Sequence, residues 1–185
     1  MDCEPNVIKF DYGNLFPYPS IRNEQEISIS FALDAFLNQR KKHVILELGT
    51  GCGKSAVGIT IARYLANHTQ CGSERGSQSN LGGYVLTTQK VLQEQYMGDF
   101  APPSGKLVSI KSSSNFQCEY HTGNTCGESL RLLKNESKGS AFWQKCMLDC
   151  YYKREKQRFL DSPESITNYS YFLAETMYGG KITPR

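Results

Sequence analysis

Three alternating glycines followed by a lysine join an apolar run to a helical pattern: His43-Val44-Ile45-Leu46-Glu47-Leu48, then Gly49-Thr50-Gly51-Cys52-Gly53-Lys54-Ser55. Val44 to Leu48 reads as a buried parallel strand, and Val57, Ile61, Ala62 and Leu65 recur behind the turn at helical spacing. A strand, a glycine turn and a helix start curl backbone N–H groups inward and aim the positive helix end at an anion. The expected chemistry is a nucleotide-phosphate cradle built from Gly49, Thr50, Gly51, Cys52 and Gly53. Lys54 would reach the β/γ-phosphates and Ser55 would hold magnesium. The strict pattern wants glycine at position 48, where this chain has Leu48, so only the second half of the motif matches. A glycine-rich turn with a merely solvated lysine is the plain alternative, and the flanking patterns speak against it.

The chain has 185 residues, enough for one ordinary domain carrying a smaller insertion. It contains no run of about eighteen apolar residues, and Asp2, Glu4 and Pro5 stand where a secretion signal would need a basic start and an apolar stretch. A soluble intracellular protein is expected, cytoplasmic or nuclear. Formal net charge is only +3, but residues 111–160 hold nine Lys or Arg against five Asp or Glu. Such an excess usually marks a solvated face and raises a DNA-binding reading only slightly.

The first twenty residues, with Phe10, Tyr12, Phe16, Pro17, Tyr18 and Pro19, suit an extended lead-in. A helix is predicted from a cap at Asn23, with Ile27, Phe31 and Ala35 on its apolar side, through Asn38. Cys71 to Gly83 has a loop composition, Tyr84 to Thr87 and Leu107 to Ile110 read as strands, and Gln89 to Met97 as a helix. This alternation predicts a parallel α/β architecture. It stops after Lys111, and apolar and aromatic residues return only near Ile166, as if the chain rejoined its first domain.

Seven cysteines, an odd number with no secretion signal, argue against a disulfide framework. Four fall in the weak-cored segment as Cys118-x7-Cys126-x19-Cys146-x3-Cys150, whereas Cys3, Cys52 and Cys71 are scattered. Cys146 and Cys150 are one turn apart if they share a helix. A segment with so little core needs a staple, and four thiols suit a metal. Zinc, an iron–sulfur cluster and unligated thiols all remain open on spacing alone. His121 could replace one thiolate and is read as a bystander.

Taken in order, these residues resemble the N-terminal part of a superfamily 2 DNA helicase of the XPD/DinG iron–sulfur type. Phe16-Pro17-Tyr18, Ile21-Arg22 and Glu24-Gln25 resemble the adenine-side Q-motif region, and Glu47 to Ser55 resembles motif I. Thr87-Thr88-Gln89 with Leu92-Gln93-Glu94-Gln95 resembles motif Ia. Lys111 through Asn115-Phe116 to Cys118 resembles the entry to the cluster domain, and Cys150-Tyr151-Tyr152 with Asn168-Tyr169 and Tyr171-Phe172-Leu173 its exit.

The resemblance implies a RecA-like P-loop parallel sheet with an inserted cysteine-rich iron–sulfur domain. Motor residues would be 1–110, the cluster domain 111–160, and the return to the motor 161–185. It implies a 4Fe–4S cluster on Cys118, Cys126, Cys146 and Cys150, ATP with magnesium at Lys54 and Ser55, and adenine selection by Arg22 and Gln25. Thr88 and Gln89 would lie under a DNA backbone. Lys145, Lys153, Arg154, Lys156 and Arg158 would track phosphates, while Tyr120, Phe142, Trp143, Tyr151 or Tyr152 would either stack on bases or pack around the cluster.

The implied activity is ATP-driven 5′ to 3′ translocation on single-stranded or forked DNA by a monomer. No D-E-A-H box occurs, so the chain is expected to be part of a longer motor and inactive alone. The competing readings are a zinc-stapled nucleic-acid-binding module with a non-catalytic P-loop and a P-loop small-molecule kinase. A kinase usually opens with its P-loop, and no N-K-x-D run favours a GTPase.

Overall fold

A computed structural model describes residues 10–70, 82–101, 107–179 and 182. Most of the expected Cys71–Gly83 loop, together with Cys3 and Cys71, lies outside the described residues. The chain forms two compact units, Met1–Gly83 and Tyr84–Arg185. The fold is mixed α/β, and among the described residues no helix is long and apolar enough to cross a membrane.

The first unit is built on two packed helices, α1 (Asn23–Leu37) and α2 (Lys54–Gln70). Helix α1 starts after Arg22, not at an Asn23 cap, because the Gln25 side chain reaches back and accepts from the Arg22 N–H at 3.0 Å. Its C-terminus closes with Asn38 N–H on the Asp34 carbonyl and Arg40 in the left-handed region at φ 54°.

The buried side of α1 carries Gln25, Ser28, Ile29, Ala32, Leu33 and Ala35. Ile27 and Phe31, expected inside, are 60% and 55% exposed. Two stripes satisfied the helical period, and the one with Ser28, Ala32 and Ala35 lets a second helix approach closely. Helix α2 answers with buried Ala56, Val57, Ile59, Thr60 and Ile61.

The predicted strand Val44–Leu48 is not formed. These residues make no ladder among the described residues, and Ile45 is 92% exposed. A strand exists only through a neighbour's N–H and C=O groups, which an apolar run cannot supply for itself.

The second unit holds β1 (Gly83–Thr87), α3 (Lys90–Phe100), β2 (Leu107–Ser109), α4 (Cys126–Leu132), α5 (Ala141–Leu148), α6 (Tyr151–Asp161), β3 (Glu164–Asn168) and α7 (Tyr169–Ala174). The sheet order is β1-β3-β2, with β2 parallel to β3 and Leu107, Val108 and Ser109 opposite Glu164, Ser165 and Ile166. The chain therefore leaves the sheet after β2, passes through the cysteine segment, and returns as the central strand.

Gln93 of α3 is fully buried and its Nε2 donates to Ser109 Oγ at 2.6 Å and to the Ile110 carbonyl at 2.8 Å. Thr167 Oγ1 donates to the same Ile110 carbonyl at 2.9 Å. The core between sheet and cysteine segment gathers Ile110, Cys126, Cys150, Tyr152, Phe159, Tyr171 and Ile182. Cysteines are thus core residues as well as candidate ligands.

Candidate functional site

The glycine turn runs directly into the first residue of α2, Lys54, and the helix ladder opens with Val57 N–H on the Gly53 carbonyl at 3.2 Å. Gly51 and Gly53 stand at φ +83° and +71°, where a side chain is strained. The turn's carbonyls face protein donors. Arg22 Nη1 donates to the Gly51 carbonyl at 3.1 Å, and Gln25 Nε2 to the Cys52 carbonyl at 3.1 Å. Lys54 Nζ spans the turn, donating to Gly49 O at 2.8 Å and Leu48 O at 3.3 Å.

This is a braced loop at the positive end of a long helix, with an exposed lysine whose two carbonyl partners an anion could replace. Arg22 and Gln25, expected to read adenine, bind the turn itself. Ser55 is the exposed second residue of α2, and Thr50 lies at the exposed tip of the turn.

In the second unit the four cysteines come together from separate elements. Cys118 is half-buried, its N–H on the Asn124 carbonyl at 2.9 Å, beside an antiparallel bridge between Gln117 and Thr125. Cys126 is the first residue of α4, held by its N–H on Phe116 O at 2.7 Å, and Thr125 caps that helix with Glu128 in a reciprocal pair.

Cys146 and Cys150 do not share a helix. Asp149 and Cys150 are extended, so Cys146 belongs to α5 and Cys150 precedes α6. The break is held on several sides. Arg154 pairs with Asp149 at 2.7 Å and Glu119 at 2.8 Å, Glu119 also accepts from Tyr151 N–H at 2.7 Å, and Tyr120 Oη donates to the Asp149 carbonyl at 2.8 Å. Lys153 Nζ takes the Cys146 and Met147 carbonyls at the end of α5.

The thiols feel one another. Burial, then the Cys150, Cys146 and Cys118 thiolates, push Cys126 up to about 12, and Cys126 hydrogen-bonds to Cys150. Burial and the Cys150 charge raise Cys146. Cys118 behaves oppositely. Burial works against its ionisation, but the Ser129 hydroxyl and the backbone N–H groups of Tyr120 and His121 outweigh it and hold it below the usual thiol range.

Four thiolates cannot ionise side by side unless positive charge sits among them, which is the electrostatic condition of a metal centre. Among the described residues no three His, Cys, Asp or Glu side chains converge tightly enough for one ion. Tetrahedral zinc at about 2.3 Å from each sulfur needs such convergence. His121 stacks on Phe142 at 4.1 Å between ring centres, and its buried Nδ1 is unpartnered.

The basic residues expected to follow a DNA backbone have protein partners. Arg154 and Lys153 hold the α5/α6 break, Lys156 pairs with Glu175 at 2.5 Å, Arg158 with Glu155 at 2.7 Å, and Lys145 lies 5.4 Å from the centre of the Tyr120 ring. Glu119, Asp149, Glu155 and Glu175 compensate what looked like a free positive stripe. The aromatics mostly pack: Tyr152 is buried against Phe116, and Phe142 covers His121, while Tyr151 remains 46% exposed.

A cavity of about 360 Å³ opens where β1 and β3 end, lined by Thr88, Lys90, Ser112, Asn168, Ser170, Tyr171 and Ala174. Gln89 precedes α3 and is exposed nearby in sequence. The motif-bearing residues were legible in the chain. Ser129 and Glu119 were missed, with only the three-residue step from Cys126 to Ser129 giving any signal, and Lys153 was expected on DNA whereas it donates to carbonyls at the end of α5. No family model, curated protein or solved structure matches this chain.

Proposed function

We propose that this chain is the N-terminal portion of an ATP-dependent DNA helicase of the XPD/DinG type, with a RecA-like motor domain interrupted by a 4Fe–4S domain. The observation that carries the reading is the convergence of Cys118, Cys126, Cys146 and Cys150 in a segment lying between two adjacent parallel strands. A cluster held there would bind α4, α5 and the start of α6 together and supply the positive charge that the buried thiolates require.

The glycine turn supports the nucleotide half of the proposal. Lys54 would leave its two carbonyl partners for the phosphates, Ser55 would hold magnesium, and Arg22 and Gln25 would keep the turn open from behind. The cavity at the ends of β1 and β3 has Lys90 and no acidic residue in its lining, which supports a phosphodiester backbone near Thr88. In the whole motor, closure of a second domain on ATP would drive movement along single-stranded DNA.

Anaerobic purification of the 185-residue chain, followed by iron, sulfide and zinc analysis and calorimetric titration with magnesium ATP, tests the proposal. Brown protein with about four irons and measurable ATP affinity is expected. A pale, iron-free protein indifferent to ATP overturns it, and a colourless protein with one zinc replaces it with the stapled-module reading.

A further inference from the structure

The side chain that the cysteine pocket leaves unexplained is Ser129. It is 1% exposed, and its Oγ meets no nitrogen or oxygen partner. Alanine would serve an otherwise inert buried helix position better, because it is the strongest helix former and hides no polar atom.

Its position gives the hydroxyl a destination. Ser129 lies three residues after Cys126 on α4, so the two share a face, and Cys126 on that face meets Cys150. Cys118 is fastened to the start of the same helix by the Gln117–Thr125 bridge and by its own N–H on Asn124 O. We propose that Ser129 is a positioning residue that donates its hydroxyl hydrogen to the Cys118 sulfur when the four cysteines hold their cluster, setting the reduction potential of that cluster. The proposal rests on the cluster reading of the four cysteines.

The direction follows from charge. A one-electron reduction places extra negative charge on the cluster and its sulfur ligands, and a donor stabilises the reduced form more than the oxidised one. Removing the hydroxyl therefore lowers the potential, whereas a change of packing alone has no reason to.

The test is a mediated dithionite titration of wild type, Ser129→Ala and Ser129→Thr in the anaerobically purified chain, with iron and sulfide measured on each. Ser129→Ala is expected to keep its iron and titrate at a more negative potential, by up to a tenfold change in the reduced-to-oxidised ratio, about 59 mV for one electron. Ser129→Thr, which keeps a hydroxyl, should return toward wild type. Equal potentials in all three proteins at full iron content overturn the assignment and leave the cluster reading intact, while iron-free wild type overturns both. If Ser129→Ala loses iron and Ser129→Thr keeps it at the wild-type potential, the hydroxyl is supported; loss from both variants means that volume matters, and overturns it.

Discussion

Gln25 and Gly53 are fitted to each other: a Cβ on Gly53 would stand 2.4 Å from Gln25 Nε2, the atom that donates to the Cys52 carbonyl. A side chain at Gly53 can be admitted only if Gln25 swings away and releases the turn. Gly53 also sits at φ +71°, which costs a side chain about 1–2 kcal/mol. Gly53→Ala should lower magnesium ATP affinity by at least about tenfold with α1 and α2 still folded, as read by calorimetry and circular dichroism. Unchanged affinity would show that the brace is irrelevant to the ligand.

Lys54 is exposed and, among the described residues, bound to two carbonyls of its own turn. Lys54→Ala should change stability by no more than about 0.5 kcal/mol, as for most surface sites. Triphosphate affinity should fall by about 10–100-fold, the worth of a charged hydrogen bond. Thermal unfolding and nucleotide titration on one sample separate the two effects.

Gln93 does structural work inside a motif-like run. Gln93→Leu leaves the Ile110 carbonyl and Ser109 Oγ without their shared donor between α3 and the sheet, and should cost about 1–3 kcal/mol. A lower urea midpoint with an unchanged slope is the expected signature.

Cys118→Ser and Cys150→Ser should each abolish the brown visible absorbance. Because Cys126 and Cys150 are packed with Ile110, Phe159 and Tyr171, limited proteolysis should loosen the Cys150→Ser protein beyond residues 111–160, into β3. The first unit should keep its protease resistance and its ATP binding. Retained absorbance in both variants would refute the ligand assignment.

Glu128 ties acid sensitivity to Cys126. Hydrogen bonds from the Thr125 backbone N–H and hydroxyl hold its carboxyl below the usual range. A depressed carboxylate contributes stability that is complete above its unfolded value, about 4.3, and is lost as pH falls through the folded value. Metal release from wild type should therefore accelerate as the solution is acidified through that window, and Glu128→Gln should flatten the pH dependence. Identical profiles would remove Glu128 from the account.

The glycine turn was the most legible part of the site, because positive φ angles, a helix start and an adjacent lysine are local consequences of Gly51, Gly53 and Lys54. The four cysteines were visible by type and spacing, but their relation was not. Their spacing allowed Cys146 and Cys150 one face of a shared helix, whereas Tyr120, Arg154 and Lys153 hold a break between them. The basic stripe depends on other residues in the same way. Charge counted along a chain does not say which acids, such as Glu119 and Glu175, fold back to meet it.

By itself the sequence determined the elements whose stability is local: α2 behind its glycine turn, α3, and the alternation that makes the chain α/β. Tertiary structure alone decided which face of α1 is buried, why Val44–Leu48 forms no ladder, and that Glu164–Asn168 becomes the central strand. It also decided that Ser129 faces the thiols. Burial and pairing are properties of two partners at once, so a pattern on one segment can propose a face or a ligand, and only the segment packed against it selects one.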